Sequence, residues 1–219
     1  MPPKGVSISR DKRIKVKICG ITNLSDALCA QTCGADALGF VFYPKSPRYI
    51  SHRQAQKIIQ QLKKSIKKIG VFVNSKALYV KKAAKLCGLD ILQFHGEETP
   101  EFCRDFSGYK VIKSFRVKNK ASLRSIGLYK GVDYFLFDAF KKGLRGGTGE
   151  QFKWGLLKDV CVKKPFFISG GLGAGNVKEA IKCVQPDWVD ASSSLEISVG
   201  KKNAREVKEF IERAKKYGG

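Results

Sequence analysis

Phe166-Phe167-Ile168-Ser169-Gly170-Gly171-Leu172 and, a helix-length further on, Trp188-Val189-Asp190-Ala191-Ser192-Ser193-Ser194-Leu195-Glu196 decide how this chain folds. Each opens as a short apolar run of strand length and stops abruptly in glycine or serine. Small residues at such a stop let backbone N–H groups converge. A short helix beginning after the serines would aim its positive end at an anion. Two such turns, after the last two strands of an alternating chain, are where a closed (β/α)8 barrel holds a phosphate. A lone Gly-Gly pair would say little; the two turns together say much.

The rest of the chain supplies the alternation. Strand-length apolar or aromatic runs stand at Lys15–Cys19, Ala37–Phe42, Ile69–Val73, Ile91–Phe94, Val111–Phe115 and Tyr134–Phe137, ahead of Phe166–Ile168 and Trp188–Val189. Between them apolar residues recur at helical spacing: Leu24, Ala27, Leu28 and Ala30; Ala55, Ile58, Ile59 and Leu62; Leu78, Val80, Ala83, Ala84 and Leu86; Val177, Ala180 and Ile181; Val207, Phe210, Ile211 and Ala214. Ser25, Ser51, Ser75 and Thr99 mark helix starts, and Cys33-Gly34 and Cys87-Gly88 mark helix ends. The segments on either side of the fifth strand carry the weakest helical pattern. Eight strands without a ninth favour closure over an open doubly wound sheet. The expectation is a single-domain α/β TIM barrel over residues 15–219, preceded by a basic, aperiodic extension at 1–14.

Composition narrows the partners. The 219 residues suit one domain, and 42 Lys and Arg against 19 acidic residues give a formal charge of +23. Such an excess points to nucleic acid, a membrane surface or a small phosphorylated metabolite. The lysines fall in pairs spread along the chain, such as Lys63-Lys64, Lys81-Lys82 and Lys215-Lys216, and read as a solvated exterior able to steer an anionic substrate. No zinc-finger, RNP-like or helix-turn-helix signature is present, so a specific nucleic-acid partner is not expected. Neither a signal peptide behind Met1-Pro2-Pro3-Lys4 nor a run of transmembrane length occurs, and a cytoplasmic, membrane-free protein is expected, either monomer or homodimer. Seven cysteines, an odd number without a CxxC pair, read as reduced thiols, not as a disulfide framework or a zinc ribbon. Cys29 and Cys33 stand four apart with no histidine nearby, which favours core packing over metal binding.

Barrel active sites are built where strands end, so strand ends name the candidates. Cys19 closes the first strand ahead of Gly20; it is a base or nucleophile if its pKa is lowered, and otherwise a small buried residue. After the second strand two prolines stiffen a loop carrying Lys45 and Arg48. The Arg48 fork suits a carboxylate or phosphate, or is an ordinary surface charge. His95, one of two histidines, ends the fourth strand and can polarise, donate or cap the next helix. Asp138 follows aromatic and aliphatic residues, whose apolar walls raise a carboxyl pKa toward that of a general acid; the other reading is a helix cap. Behind it, Gly143–Gly149 reads as a mobile loop able to fold over substrate.

Taken together, Lys17–Thr22, Gly39–Tyr43 with Ser46-Pro47-Arg48-Tyr49, Gln93–Glu97, Phe137-Asp138 before Gly146–Gly149, Ser169–Leu172 and Val189–Ser193 resemble the phosphoribosylanthranilate isomerase family, in order and over nearly the whole chain. The resemblance implies an Amadori rearrangement in tryptophan biosynthesis, needing no metal or organic cofactor. It implies Cys19 as general base and Asp138 as general acid, with Arg48 facing the anthranilate carboxylate. Backbone around Gly170, Gly171, Ser192 and Ser193 would hold the phosphate, with His95 near the substrate. The rival is a sister phosphate-binding barrel; the related histidine-pathway isomerase would carry Asp where Cys19 stands. Two departures from the family pattern are Ser194 in place of glycine and a Ser198-Val199-Gly200 segment without Pro-Gly. Ser194 is expected to keep negative φ and add a hydroxyl donor for the anion.

Overall fold

A computed structural model of the chain describes residues 13–139, 154–157 and 162–217. Eight parallel strands pair in sequence order: β1 (Lys15–Cys19), β2 (Ala37–Val41), β3 (Lys67–Phe72), β4 (Ile91–Phe94), β5 (Lys110–Val117), β6 (Tyr134–Ala139), β7 (Phe166–Ile168) and β8 (Trp188–Ala191). β1 also pairs with β8, Lys17 opposite Asp190 and Ile18 opposite Ala191, which closes the barrel and rules out an open sheet.

Helices α1 (Leu24–Thr32), α2 (His52–Ile59), α3 (Ala77–Cys87), α4 (Pro100–Arg104), α5 (Val177–Val184) and α6 (Ala204–Lys216) surround it. Ser51 and Gln54 form a reciprocal capping box on α2, and Thr99 accepts the Phe102 N–H at the start of α4. α1 is capped by Asn23 instead of Ser25, because the Asn23 side chain is the one placed to accept the Asp26 N–H. Ser75 caps nothing: α3 starts from Lys76 without a side-chain cap. The expected apolar face of α3 is also corrected. Val80, Ala83, Ala84 and Cys87 occupy one stripe and are buried, whereas Leu78 and Leu86 fall outside it and are 83% and 40% exposed. The weak helical patterns beside β5 become the five-residue α4 on one side and 3-10 turns at Lys120–Leu123 and Ile126–Leu128 on the other. The glycine loop at 143–149 lies outside the described residues, as do residues 1–12. Of the expected extension, Ile14 is already buried in the core. After β8 comes a 3-10 turn, Ser193–Leu195, and then an antiparallel hairpin of β9 (Glu196–Ser198) and β10 (Lys201–Lys202).

Strand alternation builds two cores and, above one of them, the site. Odd and even positions of a strand face opposite ways. Val16, Ile18, Leu38, Phe40, Leu92, Phe94, Phe135 and Phe137 belong to the large core between barrel and helices. Ala37, Ile69, Ile91, Ile112, Leu136, Phe167 and Trp188, each from a different strand, form a separate core inside the barrel. Each fully buried large apolar side chain contributes about 1.5–3 kcal/mol. Two residues further along five of those strands the same inward face turns polar: Gln93, Ser114, Asp138, Ser169 and Asp190 are all buried. The barrel interior therefore has a hydrophobic floor and a polar ceiling at the C-terminal ends of its strands.

Candidate active site

Over this polar layer opens a cavity of about 520 Å³. All the residues expected from the sequence line it: Cys19, Arg48, His95, Asp138, Gly170, Gly171, Ser192 and Ser193. They come from the ends of β1, β2, β4, β6, β7 and β8, so only closure of the barrel brings them together.

Cys19 is buried on the β1 side. Two residues before it on the same face, Lys17 is fully buried and its Nζ lies 3.0 Å from Asp190 Oδ2. Burial opposes the Lys17 charge, but Asp190 and Cys19 beside it outweigh burial and hold the ammonium above its ordinary pKa. For Cys19 the balance goes the other way: burial pushes the thiol up, against the pull of Lys17 and Lys202. The lowered pKa expected of a base at this position is therefore not found, and the two lysines only limit the rise. Gly39 on the neighbouring strand leaves room for the thiol; a Cβ there would stand 2.7 Å from Cys19 Sγ.

Asp138 is buried on the far side of the mouth, on a strand that pairs with β5 and β7 but not with β1. Its Oδ1 accepts the Ser169 hydroxyl at 2.8 Å, and its Oδ2 lies 3.2 Å from His95 Nε2. His95 Nδ1 in turn lies 2.9 Å from Gln93 Nε2. Both Asp138 carboxylate oxygens thus face polar side chains at the barrel mouth.

At the ends of β7 and β8 the backbone turns sharply into the cavity's edge. Gly170 and Gly171 have φ of 87° and 69°, the left-handed region that glycine reaches without a Cβ penalty. Across from them the Ser193–Leu195 turn starts at Ser192. Ser194 keeps negative φ, but its expected service to the anion is corrected: the hydroxyl donates to the Leu172 carbonyl and ties the two loops together.

Arg48 presents its Nε and Nη2 to the two carboxylate oxygens of Glu196, 2.7 Å each. Lys202 Nζ also reaches Glu196, at 2.9 Å, and the Ser192 carbonyl at 3.1 Å. Burial alone would raise Glu196; Arg48 and Lys202 outweigh it and hold the carboxyl below its ordinary range. Burial lowers Lys202 itself. One edge of the Arg48 fork thus rests on a protein carboxylate.

The family model for N-(5′-phosphoribosyl)anthranilate (PRA) isomerase matches residues 16–213. The chain belongs to that family. Among PRA isomerase relatives it is 48% identical over 202 residues to the N-(5′-phosphoribosyl)anthranilate isomerase of Pelobacter propionicus, covering 92% of this chain and 96% of that one. The Geobacter sulfurreducens enzyme of the same name is 46% identical over 202 residues, with 92% and 98% covered. The crystal structure of phosphoribosyl anthranilate isomerase from Thermotoga maritima superposes with a TM-score of 0.88 at 40% identity, covering 93% of this chain and 99% of that one. A PRA isomerase solved in complex with reduced 1-(o-carboxyphenylamino)-1-deoxyribulose 5-phosphate gives 0.85 at 39% identity, with 93% and 99% covered.

Sequence reasoning gave no role to Lys17, Gln93, Ser169, Asp190, Glu196 or Lys202. The first four were legible through strand parity: each faces inward in step with a residue already singled out or with an apolar floor residue. Glu196 and Lys202 meet Arg48 through a hairpin too short to carry a periodic signal.

Proposed function

We propose that this cavity converts N-(5′-phosphoribosyl)anthranilate to 1-(2-carboxyphenylamino)-1-deoxyribulose 5-phosphate, a step of tryptophan biosynthesis, with Cys19 as general base and Asp138 as general acid. Asp138 gives its proton to the furanose ring oxygen as the bond from that oxygen to the sugar's first carbon breaks, leaving an open-chain Schiff base. Cys19 then takes the proton from the second carbon, and the resulting enolamine tautomerises to the aminoketose. Every proton moves to or from a side chain or solvent, so the reaction calls for no cofactor.

The observation that carries this reading is a buried thiol and a buried carboxyl lining one cavity from strands that do not pair, beside turns rich in glycine and serine. Lys17 and Lys202 oppose the cost of charging Cys19, while Ser169 and His95 are placed to hold the Asp138 carboxylate once its proton has left. Backbone N–H groups at Gly170, Gly171, Ser192 and Ser193 take the phosphate, and Arg48 takes the aryl carboxylate. The relative crystallised with a reduced aminoketose phosphate supports a ligand of that shape. The reading holds for a monomer or a homodimer alike, because all these residues line one chain's cavity. Free thiols at the six described cysteines suit a cytoplasmic setting; Cys161 lies outside the described residues. No described helix is long and apolar enough to cross a membrane.

The deciding experiment supplies purified protein with phosphoribosylanthranilate and follows the loss of its fluorescence. Saturable decay that inorganic phosphate inhibits is expected; a substrate signal that persists at high enzyme concentration defeats the proposal.

A further inference from the structure

We infer that Gln93 is a positioning residue: its side-chain amide fixes which nitrogen of His95 carries the proton, so that His95 presents an N–H to Asp138. The inference rests on the acid role of Asp138 proposed above. Gln93 and His95 lie two positions apart on the inward face of the barrel, and Gln93 is 1% exposed. The Gln93 Nε2 lies 2.9 Å from His95 Nδ1 and 3.3 Å from Ser114 Oγ. Its Oε1 is buried and has no hydrogen-bond partner among the described residues.

An amide nitrogen only donates, so Nδ1 of a neutral ring must accept and the ring proton must sit on Nε2. Nε2 is the atom 3.2 Å from Asp138 Oδ2. The arrangement therefore turns a donor toward the carboxylate at the same time as Ser169 donates to Oδ1. Those two donors are what the acid needs after it has protonated the sugar and become an anion.

Reversing the amide would set Oε1 against Nδ1 and require a proton there. A neutral ring would then turn its Nε2 lone pair on Asp138, where it could accept the acid's own proton but offer nothing to the carboxylate left after transfer. The two amide orientations thus correspond to the two tautomers of a neutral His95. Among the described residues, the charged groups facing the ring are Asp138 from β6 and, further off, Asp190 from β8, itself paired with Lys17; Gln93 and Ser114 are neutral. An unpartnered Oε1 is the cost of the orientation in which the Gln93 N–H faces Nδ1.

The test is ¹⁵N NMR of the histidine side chains in the full chain, with His95→Asn to separate the His95 signals from those of His52. At neutral pH the expected spectrum has His95 Nδ1 unprotonated and Nε2 protonated. Gln93→Leu should mix the tautomers, lower kcat by about tenfold and leave KM within about twofold. Gln93→Glu should draw a proton to Nδ1 and leave an imidazolium beside Asp138, which favours the carboxylate and moves the alkaline limb of the kcat profile, the limb set by the acid, downward. A wild-type His95 carrying its proton on Nδ1 overturns the inference, whether or not the variants fold. So does a Gln93→Leu protein whose tautomer and pH profile match wild type. Loss of the acid role alone would show differently: Asp138→Asn would keep its turnover while the wild-type tautomer stayed as described.

Discussion

Arg48, in the loop after β2, and Glu196, in the hairpin after β8, meet fork to fork, with Nε and Nη2 each 2.7 Å from a carboxylate oxygen. The contact bridges the end of one strand to the end of another that lies beyond β1 in the barrel. It fixes a planar cation at the cavity edge in one orientation.

For that reason Arg48→Ala should weaken a carboxylated product analogue by about tenfold or more, while the analogue lacking the aryl carboxylate loses little. Inhibition constants for the two compounds, measured on both proteins, check this. Equal losses would mean that Arg48 shapes the loop and does not read the carboxylate.

The proposed acid and base are expected to fail separately. Cys19→Ala and Asp138→Asn should each cut kcat on the order of 10² or more with little change in product-analogue affinity. Alkylating agents should inactivate the wild type through Cys19, and bound product should slow them. A variant with near-normal turnover removes its residue from the mechanism.

Gly39→Ala tests how tightly the thiol is seated. The new methyl carbon would stand 2.7 Å from Cys19 Sγ and 3.1 Å from Lys17 Cε, so both must move. A stability loss of about 1–3 kcal/mol is expected from overpacking, with a fall in kcat of at least about tenfold from the displaced base. Gly175→Ala is the control, because its added Cβ meets nothing within 4 Å. Comparable kcat losses in both variants would contradict the seating argument.

Alkaline pH should destabilise the fold through its buried thiols. Burial pushes Cys87 up to about 11 and Cys103 to about 12, from 9.0, and raises Cys19 in the same direction. Between the ordinary thiol value and those raised values the unfolded chain has released protons that the folded chain still holds, so stability falls as pH rises. Urea midpoints measured from pH 8 upward should decline from about pH 9, and Cys103→Ala should flatten the slope. A midpoint independent of pH across that window would refute the linkage.

Much of this architecture is written locally. β1, β4 and β7 run between the very residues at which their strand-length stretches start and stop, because the apolar positions of a strand packed on both faces give way abruptly to loop residues. α3 was harder to read: Leu78 and Leu86 fit an apolar count but not the stripe of Val80, Ala83, Ala84 and Cys87, and only packing decides between them. In the site, Cys19, His95 and Asp138 are legible as polar residues at strand ends. The partner of Arg48 is not. Glu196 stands 148 residues away, and nothing local in either stretch encodes their meeting.

The step from Leu136 in the barrel floor to Asp138 in the cavity, with Phe137 facing the outer core between them, has a consequence for how such a chain can change. The site is written in phase. One residue gained or lost inside β6 would send Phe137's successor outward, burying a carboxyl among phenylalanines while an aromatic ring blocked the cavity. β4, carrying Gln93 between Ile91 and His95, is under the same constraint. A one-residue change of strand length in this barrel therefore inverts the site, whereas the segment after β8, which carries its own hairpin, lies outside that alternation. New specificity in this lineage has to enter through loops or through single side-chain exchanges, since insertions into the staves would erase the chemistry before they could alter it.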